Sequence, residues 1–181
     1  NEQGALQSAL ESTDTVAPRY TRLDAEGRVI GDGTAFARCV RDNHTELLWE
    51  LKTDDGGVHD KDNSYRWGGA GAETVGTISF NDWNGLLDAT NKEILCGFSN
   101  WRVPTSNELV TLVVTNANGI NIDTTYFPLA RAEPYWSTSA YSGHPEHGQT
   151  VHFGTGQVQY FNGYRGNRLP VRLVRGTLRT D

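Results

Sequence analysis

Apolar and polar residues alternate in short runs near the start and end of the chain, and only two segments between them carry helical spacing. Tyr20 to Leu23 reads as a strand, followed by a turn punctuated by Gly27, Gly31 and Gly33. Cys39–Asp42 and Leu47–Leu51 read as two strands joined through Asn43-His44-Thr45. Residues 52–76 are rich in Gly, Asp and Asn and predict a long loop, a length that is functional or well anchored in a compact domain. A first helix is predicted where Phe80, Trp83 and Leu87 share one face, with Ser79 and Asp82 as its capping box. A second follows Pro104, with Thr105 and Glu108 as a capping box and Leu109, Leu112 and Val113 as its apolar face.

The last part reads as β. Thr150–Phe153 and Gln157–Phe161 flank Gly154-Thr155-Gly156 and predict a hairpin. Leu169, Val171 and Leu173 alternate with Pro170 and Arg172, as in a strand buried on one face. Early strands, two central helices and late strands define an α+β domain over residues 19–181. Residues 1–18 stand apart as a linker or stalk-end segment. Ala5, Leu6, Ala9 and Leu10 have helical spacing, but the pattern dissolves into Glu11-Ser12-Thr13-Asp14-Thr15, and Pro18 ends it.

Composition sharpens this picture. Gly is abundant at 20 residues, and 5 Trp and 7 Tyr supply large anchoring aromatics, a mix suited to short strands and turns. A net charge of −6 argues against a nucleic-acid partner, which requires a basic footprint. No apolar run is long enough to span a bilayer, so membrane insertion is not expected. The chain opens on Asn1 rather than Met, as a mature product or an excised piece would, so the lack of a visible signal peptide is uninformative.

Cys39 and Cys96 are 57 positions apart. They are either two buried thiols or a disulfide, and a bridge closing that loop would contribute about 4 kcal/mol in the chain-entropy model. Neither has the CxxC partner that a zinc site needs.

Four blocks carry a family resemblance: Cys39-Val40-Arg41-Asp42 through Leu48-Trp49-Glu50, Cys96-Gly97-Phe98-Ser99-Asn100-Trp101-Arg102-Val103-Pro104-Thr105 with Glu108-Leu109, Tyr135-Trp136-Ser137-Thr138-Ser139, and the closing Val171-Arg172-Leu173-Val174-Arg175-Gly176. In this order they resemble the Lcl C-terminal family, named for the C-terminal domain of the Legionella collagen-like adhesin. The resemblance runs over residues 36 to about 176. It implies a C-type-lectin-like fold related to the sulfatase-modifying factors, a secreted or cell-surface setting, three-fold assembly, and recognition of glycans such as sulfated polysaccharide. Two departures matter. Glu133-Pro134 is followed by Tyr135 and Trp83-Asn84 by Gly85, so the calcium-bridged sugar site of true C-type lectins is not expected. The cysteine positions suit a structural bridge rather than a reactive pair, so no catalytic residue and no enzymatic activity are expected.

Three surfaces compete as binding sites. Tyr160, Tyr164, Arg165, Asn167 and Arg168 form a loop whose rings and guanidinium groups suit sugars, sulfates or carboxylates. Asp54, Asp55, Asp60 and Asp62 lie within ten residues and could enclose Ca2+, a hard cation that takes oxygen ligands. His144, His147 and His152, with Glu146 nearby, could hold a metal or respond to pH. Arg102 is read as pairing with a buried carboxylate or with carbonyls to fix its loop, over a catalytic or ligand-binding role, Trp49, Trp101 and Trp136 as core residues, and Glu108 as a cap. The expected partner is a glycan or polyanion on a host or cell surface, with an oligomerising or protein-interaction cap as the alternative. An enzyme akin to the sulfatase-modifying factors is a remote third.

Overall fold

A computed structural model describes residues 16–31 and 36–179. Most of the expected stalk-end segment, residues 1–15, and Gly33 lie outside the described residues. The fold is α+β, with antiparallel strands in two sheets and few helices. Strands β1 (Tyr20–Leu23), β2 (Val29–Ile30), β3 (Cys39–Asp42) and β4 (Leu48–Glu50) come first. Helices α1 (Asn84–Lys92) and α2 (Ser106–Val110) occupy the middle of the chain. Strands β5 (Pro134–Ala140), β6 (Gly148–His152), β7 (Gln157–Gln159) and β8 (Val174–Arg175) complete it. One sheet has the order β2-β1-β3-β4-β8 and the other β5-β6-β7. Pairing of β8 with β4 sets Val174 opposite Trp49, so the end of the domain closes onto its beginning.

Strand alternation divides the interior in two. On β3, Cys39 joins a cluster with Trp67, Trp83, Trp101 and Trp136, while Val40 joins Tyr20, Trp49, Leu109, Phe127 and Phe153 on the opposite side. Cys39 and Cys96 form a disulfide that ties β3 to the short 3-10 turn Leu95–Gly97. That turn leaves no room beside it. Gly27 has φ +87°, and a Cβ there would lie 2.4 Å from the Cys96 carbonyl oxygen.

The second helix forms as its sequence dictates. The Thr105 hydroxyl accepts from the Glu108 N–H at 3.2 Å, and Glu108 Oε1 accepts from the Thr105 N–H at 2.9 Å. Arg102 grips the same carboxylate with both terminal nitrogens, at 2.7 and 2.5 Å. Trp101, just before it, is buried; its Nε1 donates to the Leu95 carbonyl, and the Asn91 side chain brackets its backbone. The first helix differs from expectation. It begins at Asn84, with Trp83 at the N-cap position and no side-chain cap. Asp82 is instead drawn to Arg66, accepting from its backbone N–H and its guanidinium, while Arg66 lies over the Phe80 ring.

The expected half-buried strand at Leu169–Leu173 is likewise corrected. Regular pairing is confined to Val174–Arg175, and Val171, Arg172 and Leu173 are all buried. The segment runs between the sheets: the Pro170 carbonyl accepts from the Trp136 N–H of β5, and the Leu173 carbonyl from the Glu50 N–H of β4. Covered on both sides, it has no polar face, and Arg172 turns inward to donate to the Glu50 carbonyl at 2.8 Å.

Candidate functional site

The tyrosine- and arginine-rich loop is divided by the fold. Arg165, expected at its surface, is 1% exposed; its guanidinium donates to the carbonyls of Ile78 and Val75 and lies 4.0 Å from the centre of the Trp67 ring. It fastens the residue 75–78 stretch to the core and cannot meet a ligand. Tyr164, Asn167 and Arg168 are exposed. Arg168 is nevertheless directed along the protein surface, with Asp82 4.0 Å away. Tyr160 stacks on Tyr141 at 4.0 Å and on His144 at 5.2 Å.

The four aspartates of the acidic loop do not converge. Asp60 is a clasp whose carboxylate accepts from the backbone N–H groups of Asp55, Gly56 and Asp62. The N–H groups of Asp62 and Gly56 hold its pKa below the ordinary carboxylate range. Asp55 accepts from the Thr53 hydroxyl and the Gly57 N–H. Asp54 and Asp62 both pair with Lys61, and Asp62 also with Arg131. Each carboxylate is thus engaged by donors of the protein itself, Asp54 and Asp62 sharing Lys61. Of the histidines, His144 and His147 come together with Glu146, whereas the Nδ1 of His152 accepts from the Gly154 N–H.

A cleft that the sequence did not announce lies where β1, β3 and β4 meet the residue 125–129 segment. It holds about 390 Å³ and is lined by Arg22, Arg38, Lys52 and Arg172 around Tyr126 and Phe127. Four cations line one cavity together with a single carboxylate, Asp54, and Lys52 among them is paired with Glu50, on a protein of net charge −6. Arg22 and Arg38 are partly exposed, while Lys52 and Arg172 are buried in the floor. Arg22 donates to the Thr125 carbonyl at 2.9 Å and lies 4.2 Å from the centre of the Tyr126 ring. The Nε atoms of Arg38 and Arg172 are both buried without a hydrogen-bond partner. Both atoms are closed off from solvent, so the partly exposed side chains of Arg22 and Arg38 are the ones open to the cleft.

The floor is set by a carboxylate. Glu50 is fully buried and accepts from Lys52 Nζ at 2.9 Å, from the Leu173 N–H at 2.9 Å and from His59 Nδ1. Burial alone would raise its pKa, but Lys52 and His59 outweigh that and hold it at about 2. Burial pulls Lys52 down despite the neighbouring Glu50. Burial would also lower His59, yet the Glu50 and Glu93 carboxylates on its two nitrogens raise it. Glu50 and Glu108 are thus both engaged in structural pairs.

Residues 22, 38, 52 and 172 form no sequence motif. They meet only because β1, β3 and β4 are neighbours in one sheet and the chain returns to that sheet before β8. The one local signal was outward placement: on β1, Arg22 falls between the buried Tyr20 and Leu23.

A family model described as the Lcl C-terminal domain matches residues 38–175. That span holds the disulfide, both helices, the second sheet and three of the four cleft cations. No curated protein and no solved structure matches the chain.

Proposed function

This chain belongs to the Lcl C-terminal domain family, and from that premise we propose that it is a non-enzymatic binding module that recognises anionic glycans, sulfated polysaccharide above all, through its cationic cleft. Family membership identifies an adhesin-associated module. Its disulfide suits an oxidising, extracytoplasmic setting. No described helix is long and apolar enough to cross a membrane. The two antiparallel sheets with α1 and α2 are compatible with the C-type-lectin-like arrangement that the family resemblance implies.

The observation that carries the reading is the gathering of Arg22 and Arg38, both partly exposed, over Lys52 and Arg172 on one cleft. Planar guanidinium groups fit sulfate and carboxylate oxygens, and charge-assisted hydrogen bonds of this kind are about twice as strong as neutral ones. Tyr126 and Phe127 supply the apolar wall on which a sugar ring packs. The joined cysteines support a scaffold role over the thiol chemistry of a sulfatase-modifying enzyme.

Arg38→Ala tests the assignment. Binding of a sulfated oligosaccharide, measured by calorimetry, is expected to weaken about tenfold or more, since hydrogen bonds to charged groups contribute about 1.5–3 kcal/mol each. Arg168→Ala, on the loop away from the cleft, is expected to leave it unchanged. Equal affinity of wild type and Arg38→Ala would refute the cleft as the site.

A second reading, an oligomerising or protein-interaction cap, is favoured by β7. It is an edge strand, Val158 on it is 45% exposed, and Phe161 just beyond it is 68% exposed. A trimer mass in solution together with no glycan binding would place the function there.

A further inference from the structure

The turn between β5 and β6 is built to hold three chemically suited side chains still. The His144 N–H donates to the Tyr141 carbonyl, the His147 N–H to the His144 carbonyl, and the Arg165 N–H to the Glu146 carbonyl, at 3.1, 2.9 and 3.0 Å. Pro145 sits at the second position of the His144–His147 turn, where its fixed φ is favoured. The His144 ring stacks on Tyr160, and the His147 ring meets Tyr160 and Tyr164 edge-on.

On this frame His144, Glu146 and His147 each place a ligand atom within 4.8 Å of the others, the one such group among the described residues. Glu146 Oε1 lies 3.9 Å from His144 Nδ1 and 3.5 Å from His147 Nδ1. Ligands bound at zinc distances in a tetrahedron stand about 3.4 Å apart, so Glu146 is already near that spacing from both histidines, with all three ligand atoms within 4.8 Å. An independent observation points the same way: His147 Nδ1 is buried and has no hydrogen-bond partner. A buried nitrogen left so lacks either a proton acceptor or a metal.

We propose that His144, Glu146 and His147 form a site for one divalent transition-metal ion, Zn2+ foremost, leaving one tetrahedral position for water or an oxygen ligand. Two imidazoles with a single carboxylate select a borderline metal rather than Ca2+ or Mg2+, which take all-oxygen shells. The site is separate from the cationic cleft and shares no residue with it.

The test uses the whole chain, freed of metal by a chelator that is then removed. Zn2+ is titrated by calorimetry, and Co2+ by visible absorption as a reporter of coordination geometry. The expected result is one equivalent of Zn2+ per chain, four-coordinate Co2+ bands displaced by Zn2+, and no response to Ca2+ at the same concentration. His144→Ala and His147→Ala are each expected to weaken Zn2+ binding at least about tenfold, the scale on which even outer-shell changes act. His152→Ala and Arg38→Ala are expected to leave it unchanged. If His147→Ala does not fold, as judged by near-UV circular dichroism, His144→Ala carries the test, since that side chain is half exposed. Absence of stoichiometric uptake, or uptake unaltered in His144→Ala, would overturn the proposal.

Discussion

Glu50→Gln is expected to destabilise the domain by about 3 kcal/mol and to lower its Tm at pH 7 by roughly 6–12 °C, because removing one partner of a buried ion pair leaves its partners' charge uncompensated. Glu50 is fully buried beneath the cleft, and Lys52, His59 and the Leu173 N–H all donate to it. The amide keeps the shape and some hydrogen bonds but not the charge, so the loss measured is electrostatic. The same group fixes a pH dependence. Its folded pKa of about 2 lies below the ordinary value of 4.5, so its contribution is present above about 4.5 and is lost as pH falls toward 2. That shift also corresponds to about 3 kcal/mol. His59 runs the other way. Its folded pKa is raised, so its contribution is present below the ordinary histidine value and is lost as pH rises through the folded one. Thermal melts of wild type and Glu50→Gln across pH should therefore converge in acid. Melts separated by less than about 1 kcal/mol at neutral pH would show that the network does not support the floor.

Removing the disulfide is expected to cost about 4 kcal/mol, and the Tm of a domain this size then falls by roughly 8–16 °C. The cross-link closes a separation of 57 residues and joins β3 to the turn that follows α1. Both cysteines are buried against Trp83, Trp101 and Leu95, so the bridge constrains the unfolded chain and fills the first core at once. Calorimetry of the Cys39→Ala/Cys96→Ala protein, beside wild type with the bond verified by mass, checks this. An unchanged Tm in the double variant would mean that the packing of the four tryptophans holds β3 and the turn together without the bond. Arg38→Ala should bind glycan poorly but melt like wild type, so the stability and binding effects separate.

Local chemistry made much of this fold legible. The Thr105–Glu108 capping box places α2, the hairpin glycines place β6 and β7, and the alternation of Cys39 and Val40 places β3 between two cores. Reading fails where long-range pairing overrides local pattern. Asp82 could cap a helix, but Arg66, far off in sequence, takes its carboxylate. Leu169–Leu173 alternates like a surface strand, yet a second sheet covers its other side and Arg172 is buried there. Arg165 illustrates the same limit: in sequence it sits among Gly, Asn and Tyr as a surface arginine would, while its guanidinium closes against two distant carbonyls. The cleft was invisible because its cations come from separate strands. Of the histidine group, His144 and His147 come together with Glu146 because a single turn carries them, whereas His152 lies on β6 and bonds to Gly154.

The most direct test of the account follows backbone amide shifts by NMR while the labelled domain is titrated with a sulfated oligosaccharide at low and at physiological salt. Saturable shifts at Arg22, Arg38, Lys52 and Tyr126, weaker at the higher salt as screening requires, are the predicted result. Shifts confined to Tyr160–Arg168, or none at all, would contradict it.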